Sequence, residues 1–204
     1  MKMSPLRVML STGVLILAAC QPATNGLAEA QKGLEKASAE MEDSKGELAK
    51  AQEKLATENF SLKDDGSHLP KAELTPDGEL LIEGTPVPMN AEQKALGRAY
   101  RTQIQSVARD GIAIGLEGAK LGIDAAASAL KGVLSGKSDD EISKQTEATV
   151  KEKIKPRVQQ LCARMPALLQ AQQAWAAAQP EFRPYATMDE SDVKDCMNKQ
   201  DWDF

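Results

Sequence analysis

The sequence predicts a mainly α protein: a helical bundle or hairpin with a small β-meander and an N-terminal coiled-coil-like helix. Three observations carry that prediction. Apolar residues recur every seventh position between residues 27 and 58. Aromatic residues make up only 3% of the 204-residue chain, so an aliphatic, alanine-rich core is expected, which suits close-packed helices better than a β-sandwich. Between residues 72 and 89 the apolar period shortens and Pro/Gly turns appear, as in short strands.

The chain begins with a segment that reads as a lipoprotein signal peptide, residues 1–19. Lys2 and Arg7 form a positive start, and Val8 to Leu17 is an apolar run too short to span a bilayer comfortably. Leu17-Ala18-Ala19-Cys20 follows, with small residues before the cysteine as the lipoprotein signal peptidase requires. Cleavage before Cys20 frees a thiol and an amine for acyl chains, and two or three such chains anchor stably. Gln21 follows in place of the aspartate that retains enterobacterial lipoproteins at the inner membrane. The expected location is therefore the periplasmic face of the outer membrane. Removing residues 1–19 takes away Lys2 and Arg7 and no acid, which moves the net charge from −5 to −7. An acidic chain argues against nucleic acid and against an electrostatic hold on anionic lipid.

Residues 20–26 are expected to be a lipidated tether, followed by a coiled-coil-like helix over 27–58. Leu27, Leu34, Met41, Leu48 and Leu55 are seven apart, and Ala30, Ala37, Ser44 and Ala51 lie three residues after the first four of them. Gly33 and Gly46 each cost about 1 kcal/mol against alanine, so this helix needs a partner. It pairs with itself, packs on the body, or remains a partly solvated spacer. Residues 59–71 are polar and read as a linker. The body, residues 72–204, opens with Ala72 to Thr75 and the Pro76-Asp77-Gly78 turn. Glu79 to Glu83 is a strand candidate, Gly84-Thr85-Pro86 turns again, and Val87-Pro88-Met89 suits a short edge strand.

Asn90-Ala91-Glu92-Gln93 resembles a capping box and starts a helix that runs to about Leu134. On a helical wheel Asp110, Glu117, Lys120 and Asp124 share one side. Gly111, Gly115, Gly118, Gly122 and Ala126 form a narrow small-residue stripe, with Ile112, Leu116 and Ile123 on one flank and Ile114 and Leu121 on the other. Gly111, Gly115, Gly118 and Gly122 are the candidate helix-packing seam. The expectation is a tight internal contact with the helix from Val158 to Trp175, rather than an open docking surface. Ser135-Gly136 ends the long helix, and Ser138 to Glu141 caps the next. Pro156 predicts a kink or restart at Lys155. An apolar face from Val158 to Trp175 follows, and a last helix over Asp189 to Lys199 carries Cys196.

With Cys20 taken by lipid, Cys162 and Cys196 remain in an oxidising compartment, where a disulfide is expected. Closing a loop of about 35 residues stabilises by roughly 3–4 kcal/mol. Cys-x-x-Cys is absent, which argues against redox work. The single histidine, His68, stands in a polar stretch without a ligand cluster, so no metal site is expected. Asp64-Asp65 falls in the linker and Asp139-Asp140-Glu141 suits helix capping, and neither resembles a catalytic pair. No nucleotide-binding or nucleophile-elbow motif occurs. Phe204 after Trp202 has the place of a barrel protein's terminal aromatic, but the strands of a barrel are missing from the pattern.

The stretch from Leu74 to about Trp175 resembles the YggN-like family of periplasmic proteins. The matching residues are the Thr75-Pro76-Asp77-Gly78 turn, the strand ending in Gly84, the Asn90-Ala91-x-Gln93 helix start, and Leu161-Cys162-Ala163-Arg164 with its Ala/Leu-rich continuation. About half the chain is covered, and the lipobox and the coiled-coil segment are additions. The resemblance implies a periplasmic placement and a meander-plus-helices layout, and it carries over no functional residue. Together these readings give a protein expected to be non-catalytic, without a cofactor, that binds an envelope protein or a toxin. An immunity lipoprotein and a structural spacer are the alternatives, with oligomeric state open.

Overall fold

The computed structural model describes residues 23–62 and 68–198. The signal segment, Cys20, Asp64-Asp65, Trp202 and Phe204 lie outside the described residues. The order is α1 (Ala23–Thr57), β1 (Phe60–Ser61), β2 (Ala72–Leu74), β3 (Leu80–Ile82), β4 (Thr85–Pro86), α2 (Ala91–Leu134), α3 (Asp139–Cys162), α4 (Met165–Ala178), a 3-10 turn (Pro180–Tyr185) and α5 (Glu190–Asn198). The architecture is mainly α with one small antiparallel sheet, as the periodicities predict.

Helix α1 starts at Ala23, within the segment expected to be tether. Its heptad seam is its half-buried face: Leu34, Ala37, Met41, Leu48, Ala51 and Leu55. That face lies on α2. At the α1 C-terminus the Leu55 carbonyl accepts from Gln105 Nε2 at 2.7 Å. From this point the seam runs back along the length of α2, so the two helices are antiparallel. The heptads therefore describe a contact inside the chain.

The sheet has strand order β1-β2-β3-β4, all antiparallel. Strand β1 lies in the segment read as linker. Its two residues give no periodicity to detect, and it exists because Phe60 pairs opposite Leu74. Strand β4 falls at Thr85–Pro86, ahead of the expected Val87–Met89. Ile82 pairs with Thr85, which leaves a two-residue loop whose Glu83 and Gly84 both have positive φ, 48° and 76°. A two-residue hairpin with that twist demands this backbone. Pro86 occupies the edge, where its missing N–H does no harm.

The turn between β2 and β3 is closed by Gly78 N–H donating to the Thr75 carbonyl at 3.1 Å, with Gly78 left-handed at φ 81°. This turn lies directly on α2. A Cβ added at Gly97 would collide with the Gly78 carbonyl oxygen and come within 3.2 Å of the Gly78 Cα. Gly78 and Gly97 are the true close-packed small pair of this molecule. The contact is clamped on either side by Lys94 Nζ on Glu79 Oε1 at 2.5 Å and by Arg98 on the Asp77 carbonyl at 3.1 Å.

The aliphatic core expected from composition is incorrect. Trp175, Phe182, Tyr100 and Tyr185 join Ala72, Leu74 and Leu80 in one buried cluster, with Phe60 against it. Trp175 and Phe182 stack with ring centroids 4.0 Å apart, and Tyr100 lies 5.5 Å from Phe182. A few aromatics suffice because they are concentrated where sheet, α2, α4 and the 3-10 turn meet, each ring covering a large area.

Beyond that cluster α2 and α3 form an antiparallel hairpin. Arg164 pairs with Asp110, Arg157 Nη2 lies 3.3 Å from Glu117 Oε2, and Ile142 packs on Gly132. Both capping boxes form as predicted, Asn90 with Gln93 and Ser138 with Glu141. Helix α2 ends in a Schellman motif: Lys137 N–H donates to the Gly132 carbonyl and Gly136, at φ 74°, donates to Val133. No restart occurs at Lys155-Pro156: α3 runs through Pro156 to Cys162. Chain direction changes instead at Ala163-Arg164, with Pro166 in the first turn of α4, where no N–H is required. Cys162 and Cys196 are disulfide-bonded, with Cα atoms 5.5 Å apart, which staples α5 to the end of α3.

Candidate functional site

The predicted helix-packing seam is not one. Gly111, Gly115, Gly118 and Gly122 are exposed, and a Cβ built at any of them meets nothing within 4 Å among the described residues. The physical reason lies in the two apolar flanks. Ile112, Leu116 and Ile123 continue the wheel face of Arg101 and Gln105, which touch α1. Ile114 and Leu121 continue the face of Glu117 and Gly132, which touch α3, and of Asp110, which touches Arg164 just beyond it. The flanks are thus two separate seams that carry α1 and α3, and the glycines form the open strip left between them. Two residues of the charged face, Asp110 and Glu117, turn inward as partners for Arg164, at the start of α4, and Arg157 of α3.

The most tightly held polar group is Arg101, which sequence reasoning missed. It is 2% exposed, and among the described residues no carboxylate pairs with it. Its guanidinium donates to the carbonyls of Leu74 (3.0 Å), Leu55 (3.1 Å), Ala56 (3.3 Å) and Glu58 (2.6 Å). Its Cζ lies 4.0 Å from the centroid of the Phe60 ring. The last carbonyls of α1 have no helical partners and carry the negative end of its dipole, so a cation there satisfies both needs. Burial pushes the Arg101 pKa down from its ordinary value, yet a guanidinium stays charged at neutral pH. Arg101 thereby joins α1, β1, β2 and α2. The only available signal was its place on the α1-facing side of α2, where an arginine that snorkels to water reads the same.

Other polar groups hold the ends of elements. Gln93 completes its capping box and also donates to the Ala178 carbonyl at 2.7 Å, which ties the start of α2 to the end of α4. Buried Gln172 bonds Met188 through both its amide atoms. The Ser138 N–H and hydroxyl hold the Glu141 carboxylate below its usual range. The Ser191 hydroxyl and N–H, joined by the Asp192 N–H, do the same for Asp189. These carboxylates serve helix starts, as the sequence spacing implied for Asp139, Asp140 and Glu141.

His68 is exposed, and among the described residues no group of three or more His, Cys, Asp or Glu side chains could hold a metal ion. No described helix is long and apolar enough to cross a membrane. Two of the shallow surface clefts among the described residues lie between pairs of helices. One lies between α2 and α3, lined by Leu121, Asp124, Ser128, Thr146 and Thr149. The other lies between α4 and α5, lined by Pro166, Leu169, Gln173, Val193 and Lys194. Comparison with protein-family models, curated proteins and solved structures gives no match.

Proposed function

We propose that this is a non-catalytic, lipid-anchored periplasmic protein-binding protein of the cell envelope, held through Cys20 on the periplasmic face of the outer membrane. The observation that carries the reading is the polarity of the molecule. The Leu17-Ala18-Ala19-Cys20 lipobox immediately precedes α1, and α1 joins a long helical shaft whose sheet-and-aromatic end lies at its opposite pole. A chain built this way holds a compact head away from the bilayer. The resemblance of Leu74 to Trp175 to YggN-like periplasmic proteins agrees with that placement.

The partner is an envelope protein or a toxin. The immunity form of the reading is supported by the acidic balance of the mature chain, which complements a basic partner. The spacer form is supported by the 44-residue α2. Deletion of α1 does not separate these readings, because Arg101 depends on the α1 carbonyls for its fold. Gly115→Leu does separate them. Open space at Gly115 admits the side chain, and losing a mid-helix glycine leaves the melting temperature no lower than wild type. A partner bound along the shaft is lost from envelope pull-downs with this variant, a partner bound at the head is retained, and a spacer shows no specific partner with either chain. Cys20→Ala tests the anchor: the variant takes up no radioactive palmitate, and continued labelling refutes the lipobox reading.

A further inference from the structure

Two of the three large apolar side chains that stand exposed among the described residues are neighbours. Val133 is 60% exposed and Leu134 is 64% exposed, both in the last turn of α2. The Schellman motif fixes them there. Gly132 is buried beneath Ile142, and Gly136 reverses the chain, so the corner closes on glycines and its apolar pair points outward. At these exposures the Val-Leu pair buries little of its apolar surface within the fold.

The position of this corner says what it meets. Leu55 of α1 bonds Gln105 of α2, and the antiparallel seam runs back from there through Leu34. At ~1.5 Å per residue, the stretch from Leu55 to Ala23 covers about 48 Å, while Gln105 to Leu134 covers about 44 Å. The start of α1 is therefore level with the α2–α3 corner. Cys20 precedes Ala23 by three residues, at most about 11 Å of extended chain. A lipid on Cys20 places the corner against the bilayer surface.

We propose that the α2–α3 corner is a membrane-contacting tip, with Val133 and Leu134 entering the interfacial layer of the bilayer that holds Cys20. The inference rests on the reading of Cys20 as lipidated. With Lys131 and Lys137 beside Asp139, Asp140 and Glu141, the corner has no strong net charge, so the contact is apolar and insensitive to salt. Two contact points, lipid and tip, set the shaft upright or tilted as one body, where a lipid alone leaves it free to swing.

The test uses the full chain, expressed with its signal, purified in processed form and reconstituted into phosphatidylethanolamine/phosphatidylglycerol vesicles. Leu134→Cys carries an NBD label, and Glu92→Cys, exposed at the start of α2, carries it at the other pole. The label at 134 is expected to emit further to the blue than at 92, and to be quenched several-fold more by doxyl-labelled lipids, at low and high salt alike. Equal quenching at the two positions on acylated protein overturns the tip and leaves the anchor standing. A blue-shifted label at 134 that doxyl lipid does not quench also overturns it, since protein then covers the corner. Intact mass without acyl chains overturns the anchor, and the tip with it.

Discussion

One substitution made at two glycines of the same helix should have opposite effects. At Gly115, alanine meets nothing within 4 Å, so it adds no clash, and the helix gains the propensity difference of about 1 kcal/mol. At Gly97, the same methyl collides with the Gly78 carbonyl oxygen and lies 3.0 Å from its carbon. That neighbour is backbone, held in a left-handed turn that Thr75, Lys94 and Arg98 pin to α2. It yields only by lifting the sheet from the helix. Overpacking of this kind costs roughly 1–3 kcal/mol, which exceeds the propensity gain when the turn cannot move. Urea unfolding of both variants, followed by circular dichroism, measures the two signs against wild type. Gly115→Ala should raise the midpoint and Gly97→Ala should lower it. A destabilising Gly115→Ala would restore the internal seam, and a stabilising Gly97→Ala would refute the close approach of turn and helix.

Further outcomes follow from other groups. Arg101→Ala strips the donor from four backbone carbonyls at once, and at roughly 1–3 kcal/mol for each buried group left unmet the loss is at least about 4 kcal/mol; hydrogen exchange should show α1 opening before the sheet, and unchanged α1 protection would refute its role. Reduction of Cys162–Cys196 should release α5, which has no buried residue of its own, as seen by new protease cleavage within Glu190–Asn198 while the aromatic core holds. Burial pushes the Tyr100 phenol up to about 12 and Tyr185 upward too. A phenol with a raised folded pKa gives its full stabilisation below pH ~10 and loses it as pH climbs toward about 12, so 295 nm absorbance should show delayed ionisation that returns to the ordinary value in urea.

The sequence was most legible where one local rule governed. The Leu34–Leu55 heptads mark the half-buried face of α1, both capping boxes form, Gly136 ends α2, and Cys162 meets Cys196. It was misleading where several partners shared one helix. The wheel of α2 shows glycines between apolar flanks but not that each flank serves a different helix, so one groove was read where two seams exist. Gly78 and Gly97 are 19 positions apart, and nothing local to either announces their contact. Arg101 is recognisable only once the end of α1 is known to lie beside it. Pro156 shows the limit of a single-residue rule: neighbouring packing carries α3 through it, with Ile154 buried just before.

The proposed molecule is a shaft anchored at one pole through Cys20. Intact-mass spectrometry of the protein taken from the envelope tests this most directly. The expected species begins at Cys20 and carries the mass of a diacylglyceryl group and an amide-linked acyl chain. A species that keeps residues 1–19, or begins at Cys20 with an unmodified thiol and amine, contradicts it.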